Sequence, residues 1–152
     1  MPDPTSPLLV RWYPPTWARQ PPGMTWEDWQ PWQPWMRVQG QAWPEWAYNI
    51  RLPVGDPPTP LPDPESDRLW REQTAKRIDA VARRNGQYWI FEARRTPGYS
   101  AVGQLLGYRD LWTLHHPQLE LAALYLVTET CDDSIRALAA RQGIRTWCVS
   151  DH

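Results

Sequence analysis

The dipeptide Asn85-Gly86, set between two runs of alternating residues, constrains this chain more tightly than any other feature. A two-residue type I′ turn needs positive φ at both central positions, and Asn-Gly meets that need better than other pairs. The flanking runs, Arg77–Arg83 and Gln87–Arg94, therefore read as the two strands of a hairpin. With Asn85 and Gly86 as the loop, Arg84 faces Gln87, Arg83 faces Tyr88, and Val81 faces Ile90. Continued in the same register, Asp79 faces Glu92 and Arg77 faces Arg94. Directly opposed residues share a face with Cβ atoms roughly 5 Å apart. Two carboxylates are thus expected side by side, with arginines one step along.

Like charges opposite one another weaken a hairpin, so the arrangement calls for a cation. One solution is a cross-strand salt-bridge cluster of Asp79, Glu92, Arg77 and Arg94. The other is a divalent metal such as magnesium or manganese, which takes one or two carboxylates and keeps several waters. Downstream, Thr96-Pro97-Gly98 reads as a turn, and Ser100 as the cap of a helix over about Ala101–His115. On it Gln104 and Tyr108 stand four residues apart and share a face. Taken alone, that pair is also compatible with ordinary helix-surface or core positions.

At this point the chain resembles the PD-(D/E)XK nuclease superfamily, particularly its RecB-like branch. That family carries an aspartate on one strand, E-x-K on the next and Q-x-x-x-Y on the following helix. Here Asp79, then Glu92-Ala93-Arg94, then Gln104 and Tyr108 stand in that order over roughly Glu65 to Val149. The resemblance implies an α/β fold, a mixed β-sheet flanked by helices with a restriction-endonuclease-like core. It implies metal-dependent hydrolysis of DNA phosphodiesters, with Mg2+ or Mn2+ held by Asp79 and Glu92. Gln104 and Tyr108 would orient the site. A glutamate from the preceding helix often joins it, and Glu72 is the candidate, with Glu65 second. One departure stands out: Arg94 occupies the lysine position. Lysine can shift its pKa and help activate water, whereas arginine stays charged and suits a phosphate contact.

The net charge of −1 argues against wholesale coating of nucleic acid. Locally, Lys76, Arg77, Arg83, Arg84, Arg94, Arg95 and Arg109 face only Asp79 and Glu92 between residues 76 and 109. That net of +5 is the expected DNA-binding patch, although strand edges also carry basic residues to stay solvated. Cys131 and Cys148 have no metal-binding spacing and read as small buried thiols in a reducing compartment. No signal peptide and no membrane span is expected, which points to the cytoplasm or a virus-like particle assembled there.

Residues 1–64 differ in kind from 65–152, which read as the nuclease-like domain. They hold 16 of the 18 prolines and eight of the 12 tryptophans. Such proline density predicts an extended arm with at most one helical turn, capped by Thr25, and a strand near Ala47–Val54. Residues 56–64 read as a stiff linker. Eight indoles must cover something: the rest of the chain, a second copy or another protein. Protein contact is expected over nucleic-acid stacking, because few arginines accompany the tryptophans. Beyond the hairpin, a strand at 119–127, a helix from Asp132 or Asp133 to about Gln142, and a strand at 144–149 predict a parallel crossover. Three functions fit: a metal-dependent deoxyribonuclease, a non-catalytic assembly component of a phage-like particle or mobile element docking through the arm, or DNA binding without cleavage.

Overall fold

The computed structural model describes Leu8 and residues 10–152; readings that fall on residues 1–7 and 9 lie outside them. Five strands form one sheet in the order β1-β2-β3-β4-β5. They are β1 (Glu45–Leu52), β2 (Lys76–Arg84), β3 (Gln87–Arg94), β4 (Glu120–Thr128) and β5 (Ile144–Cys148). The first three pair antiparallel, and β3, β4 and β5 pair parallel. Four helices accompany them: α1 (Trp26–Val38), α2 (Pro64–Thr74), α3 (Tyr99–His115) and α4 (Asp133–Arg141). The mixed α/β sheet expected from the sequence is the architecture observed.

The hairpin forms in the expected register: Arg84 pairs with Gln87, Arg83 with Tyr88 and Val81 with Ile90. Asn85 and Gly86 take φ of 53° and 76°, as a type I′ turn requires. The parallel half follows from two crossovers, β3–α3–β4 and β4–α4–β5. Asp132 caps α4 by accepting the Ile135 N–H at 2.7 Å, and Gly143 leaves the helix at φ 75°.

The two sheet faces are filled differently. One, under α3 and α4, is largely aliphatic: Val81, Ile90, Leu105, Leu124, Leu126 and Ile135 pack there with Tyr88 and Trp112. The other packs Trp32, Trp35, Trp43 and Trp46 against Tyr48, Ala80, Ala82, Trp89 and Phe91. Small side chains on β2 make room for the indoles.

This second face overturns the extended arm. Residues 26–38 form a 13-residue helix with Pro31 and Pro34 inside it, and β1 is an integral strand paired along β2. Each interior proline costs a helix about 3 kcal/mol. An indole removes on the order of 200 Å² from water, about 5 kcal/mol at 25 cal/mol per Å². Trp32 and Trp35, both near-fully buried, therefore outweigh the two prolines. Thr25 does cap the helix, accepting the Asp28 N–H at 3.2 Å. The free edge of β1 is covered in turn by Tyr13, whose N–H and carbonyl bond Trp46 at 2.7 and 2.9 Å.

Other expectations also change. Cys131 and Cys148 form a disulfide, with Cα atoms 6.1 Å apart. Residues 17 apart in sequence meet because β5 returns beside the end of β4, and their pairing removes the cysteine argument for a reducing compartment. Helix α3 starts at Tyr99 with Gly98 as N-cap, so Ser100 lies inside its first turn rather than capping it. Helix α2 buries no residue, and its Leu69 is 42% exposed. Ion pairs hold that helix instead, among them Arg71 with Asp56 at 2.8 Å. No helix among the described residues is long and apolar enough to cross a membrane.

Candidate functional site

Antiparallel pairing between β2 and β3 stops at Ala80 and Phe91, one step short of the Asp79–Glu92 position. The cause lies in β1 and β2 together. Alternation places Ala47 and Val81 on the aliphatic face, and Tyr48 and Ala80 on the tryptophan face. Beyond them Ile50 and Ile78 are back on the aliphatic face, so both strands lose alternation at Asn49 and Asp79. Asn49 takes the left-handed region at φ 55°, a conformation asparagine tolerates better than most residues. Its side chain packs where a Cβ on Gly23 would sit, 2.6 Å away.

Freed from the ladder, Asp79 turns its side chain along β3. Its Oδ2 accepts the Ala93 N–H at 2.9 Å, a side-chain bond standing where a backbone one would be. The expected juxtaposition with Glu92 survives in altered form, and the expected ladder continuation to Arg77–Arg94 does not. Glu92 is 1% exposed, and its Oε2 is buried with no hydrogen-bond partner. Burial first, and then the neighbouring Asp79 carboxylate, push the Glu92 acid up to about 10. Asp79 is raised as well, chiefly by burial, with Glu92, the Ala93 N–H and Arg94 opposing. Burial therefore favours a proton on the pair, held on Glu92 and facing Asp79.

Arg94 is the cation beside them, with Nη2 3.5 Å from Glu92 Oε1. At that distance, and with its side chain 30% exposed, its charge does not outweigh the burial of Glu92. The same guanidinium donates to Gln104 Oε1 and lies 3.5 Å from Asp28 Oδ2. Tyr108 is buried and donates its hydroxyl to the Arg77 carbonyl at 2.8 Å. Burial and then the Glu92 and Asp79 charges hold its phenol above the ordinary range. The helix α3 thus brings both predicted residues to the pair, Gln104 through Arg94 and Tyr108 through β2.

Asp28 is the residue that sequence reasoning missed. It projects from the first turn of α1, and its Oδ1 accepts the Arg95 N–H at 3.1 Å. In sequence, Thr25-x-x-Asp28 reads as a helix start and nothing more. Only the packing of α1 on the tryptophan face carries that carboxylate around the end of β3.

Glu72 is not gathered into the site. Its carboxylate meets Arg68 at 3.1 Å and Arg51 at 3.6 Å, while Glu65 meets Arg68 at 2.6 Å. The basic patch is also dispersed. Arg83 pairs with Glu45 at 2.7 Å, and Arg84 donates to the Ala42 carbonyl and lies over Trp89. Both sit at the turn end of the hairpin, four or more residues from Asp79, or about 13 Å along a strand. Arg95 pairs with Glu129, and Arg109 donates to the Gln142 carbonyl.

Among the described residues no group of three or more His, Cys, Asp or Glu forms a metal centre. What remains is a two-carboxyl pair with an orphaned oxygen, which suits a hard cation that retains water and takes its other ligands from a phosphate.

No family description and no curated protein sequence matches the chain. Among solved structures it is similar to a repair endonuclease from Pyrococcus abyssi, with 16% identity and a TM-score of 0.41 over 64% of this chain. It is also similar to a protein of unknown function, AF1548, with 14% identity and a TM-score of 0.49 over 79% of this chain. The chain spans 38% and 56% of those two structures.

Proposed function

We propose that this chain is a nuclease of the PD-(D/E)XK kind, hydrolysing DNA phosphodiesters with a divalent metal at Asp79 and Glu92. The observation that carries the reading is the orphaned Glu92 Oε2. Once Glu92 is ionised, that buried oxygen has no donor facing it, and a bound cation would supply the missing partner. Magnesium or manganese bound there would polarise the phosphoryl group and make water nucleophilic near neutral pH.

The protein's own groups have distinct tasks. Glu92 must give up its proton for metal to bind, so occupancy rises with pH. The Ala93 N–H fixes which Asp79 oxygen stays free. Arg94, steered by Gln104 and Asp28, would meet the phosphate. Tyr108 holds the edge of β2 in place through the Arg77 carbonyl. In this scheme residues 65–152 supply the carboxyl pair and Arg94, and the first 64 supply its cover and Asp28. DNA would approach along Arg94, Arg95, Arg77 and Arg109.

A second reading rests on Arg94 itself. Its contacts with Glu92, Asp28 and Gln104 form a network that is electrostatically nearly complete without metal. On that reading the fold is a non-catalytic assembly component, as in a phage-like particle or mobile element. A cleavage assay separates the two, using single-stranded and supercoiled DNA with magnesium or manganese. The nuclease reading expects metal-dependent cutting that falls at least about a hundredfold in Asp79→Ala, the scale set by loss of a metal site. Cutting at an equal rate in the variant rules it out. Absent cutting in a wild type that binds no metal favours the second reading.

A further inference from the structure

A cavity of about 280 Å³ lies on the tryptophan side of the molecule, just below the roughly 300–1,000 Å³ typical of ligand pockets. Its walls include Trp17, Trp29, Trp32 and Tyr48, and its lining includes Arg19 and Arg37. Trp17 and Tyr48 rings stand 5.6 Å apart, and Trp32 is buried. Both arginines are exposed. Among the described residues neither has an ion-pair or hydrogen-bond partner, and no carboxylate lines the cavity.

Those features select a ligand class. Aromatic walls accept a flat ring, because every nucleobase presents a π-face to an indole. An aromatic cage for an organic cation would place acids beside the rings, whereas two guanidinium groups repel one. A ring that carries an anion satisfies both features. We infer that this cavity is a nucleobase-binding site, taking a base with its 5′-phosphate from an unpaired strand or a free nucleotide.

The location fits a strand. Trp26 is 59% exposed, and its ring lies 5.2 Å from that of Trp29, extending the aromatic surface outwards along α1. The same helix carries Asp28 to Arg94, so α1 contributes a residue to each site. The inference does not depend on hydrolysis or on metal at Asp79.

The test is fluorescence anisotropy of a labelled hexathymidylate with the full chain, in EDTA and at low salt. A hexamer of abasic residues with the same phosphates should bind at least about tenfold more weakly, as loss of stacking requires. The double variant Arg19→Glu/Arg37→Glu, whose side chains hold no partner among the described residues, should lose a similar factor while melting normally. Trp17→Leu should lose base discrimination. Thymidine 5′-monophosphate competing at micromolar concentration, with the same variant sensitivity, identifies a free nucleotide as sufficient. Competition by oligomers alone identifies a strand. Equal binding of abasic and base-bearing hexamers overturns the inference. So does unchanged binding in the charge variant.

Discussion

The two faces of the sheet reach a packed core by opposite routes. Under α3 and α4, aliphatic side chains at regular strand and helix spacing meet with no unusual element. On the other face, a helix with two interior prolines is held down by indoles whose burial outweighs its local preferences. The carboxyl pair sits where the two meet, with Gln104 and Tyr108 arriving from one face and Asp28 from the other. A site assembled this way depends on the tryptophan face as much as on the motif-bearing one.

Truncating one residue on each face tests that equivalence most severely. Trp46 is wholly buried and touches the rings of Trp32, Trp35, Trp43 and Phe91. Trp46→Ala should lose about 3–5 kcal/mol in urea unfolding, at least matching Leu105→Ala at about 2–5 kcal/mol. A loss below about 1 kcal/mol would reduce residues 1–64 to an accessory.

The next effect concerns protons at the junction. Glu92, raised to about 10 from the ordinary 4.5 of a glutamate, keeps in the folded state a proton that the unfolded chain releases. The contribution of Glu92 to stability of the metal-free protein is therefore fullest below about pH 4.5, and is lost as pH rises towards 10 at roughly 1 kcal/mol per pH unit. Asp79, also raised, adds in the same direction. Glu92→Gln should flatten the profile and be the more stable protein at pH 9 by about 2–4 kcal/mol. Parallel profiles for the two proteins would show that Glu92 is ionised in the native state.

Smaller effects sharpen the picture of α1. Pro34→Ala restores a helical N–H and removes a ring clash, and gains about 1–2 kcal/mol after the unfolded-state entropy is counted. Thr25→Ala removes the cap and costs about 1 kcal/mol. Both are read by thermal melting, and a destabilising Pro34→Ala would mean that the proline ring itself is needed for indole packing.

The two faces also differed in how legible they were. The hairpin, its register as far as Ala80, and helices α2, α3 and α4 follow from turn chemistry and periodicity, which act locally. The end of that register did not follow, because alternation assumes a regular strand and the left-handed Asn49 acts from a neighbouring one. Helix α1 was hidden because proline is a strong local signal, while the indole packing that overrides it is long-range. Asp28 was lost for the same reason. The disulfide depended on the crossover that brings β5 beside β4, a placement no spacing of two cysteines encodes.

The most direct test of the central claim is calorimetric titration of manganese into the folded protein at pH 7 and pH 8.5, in buffers of different ionisation enthalpy. The account predicts saturable binding with proton release, tighter at the higher pH, and lost in both Asp79→Ala and Glu92→Gln. No binding at millimolar manganese by folded wild type, or binding unchanged in Asp79→Ala, would contradict it. The pair would then be a structural acid cluster neutralised by its own proton and by Arg94.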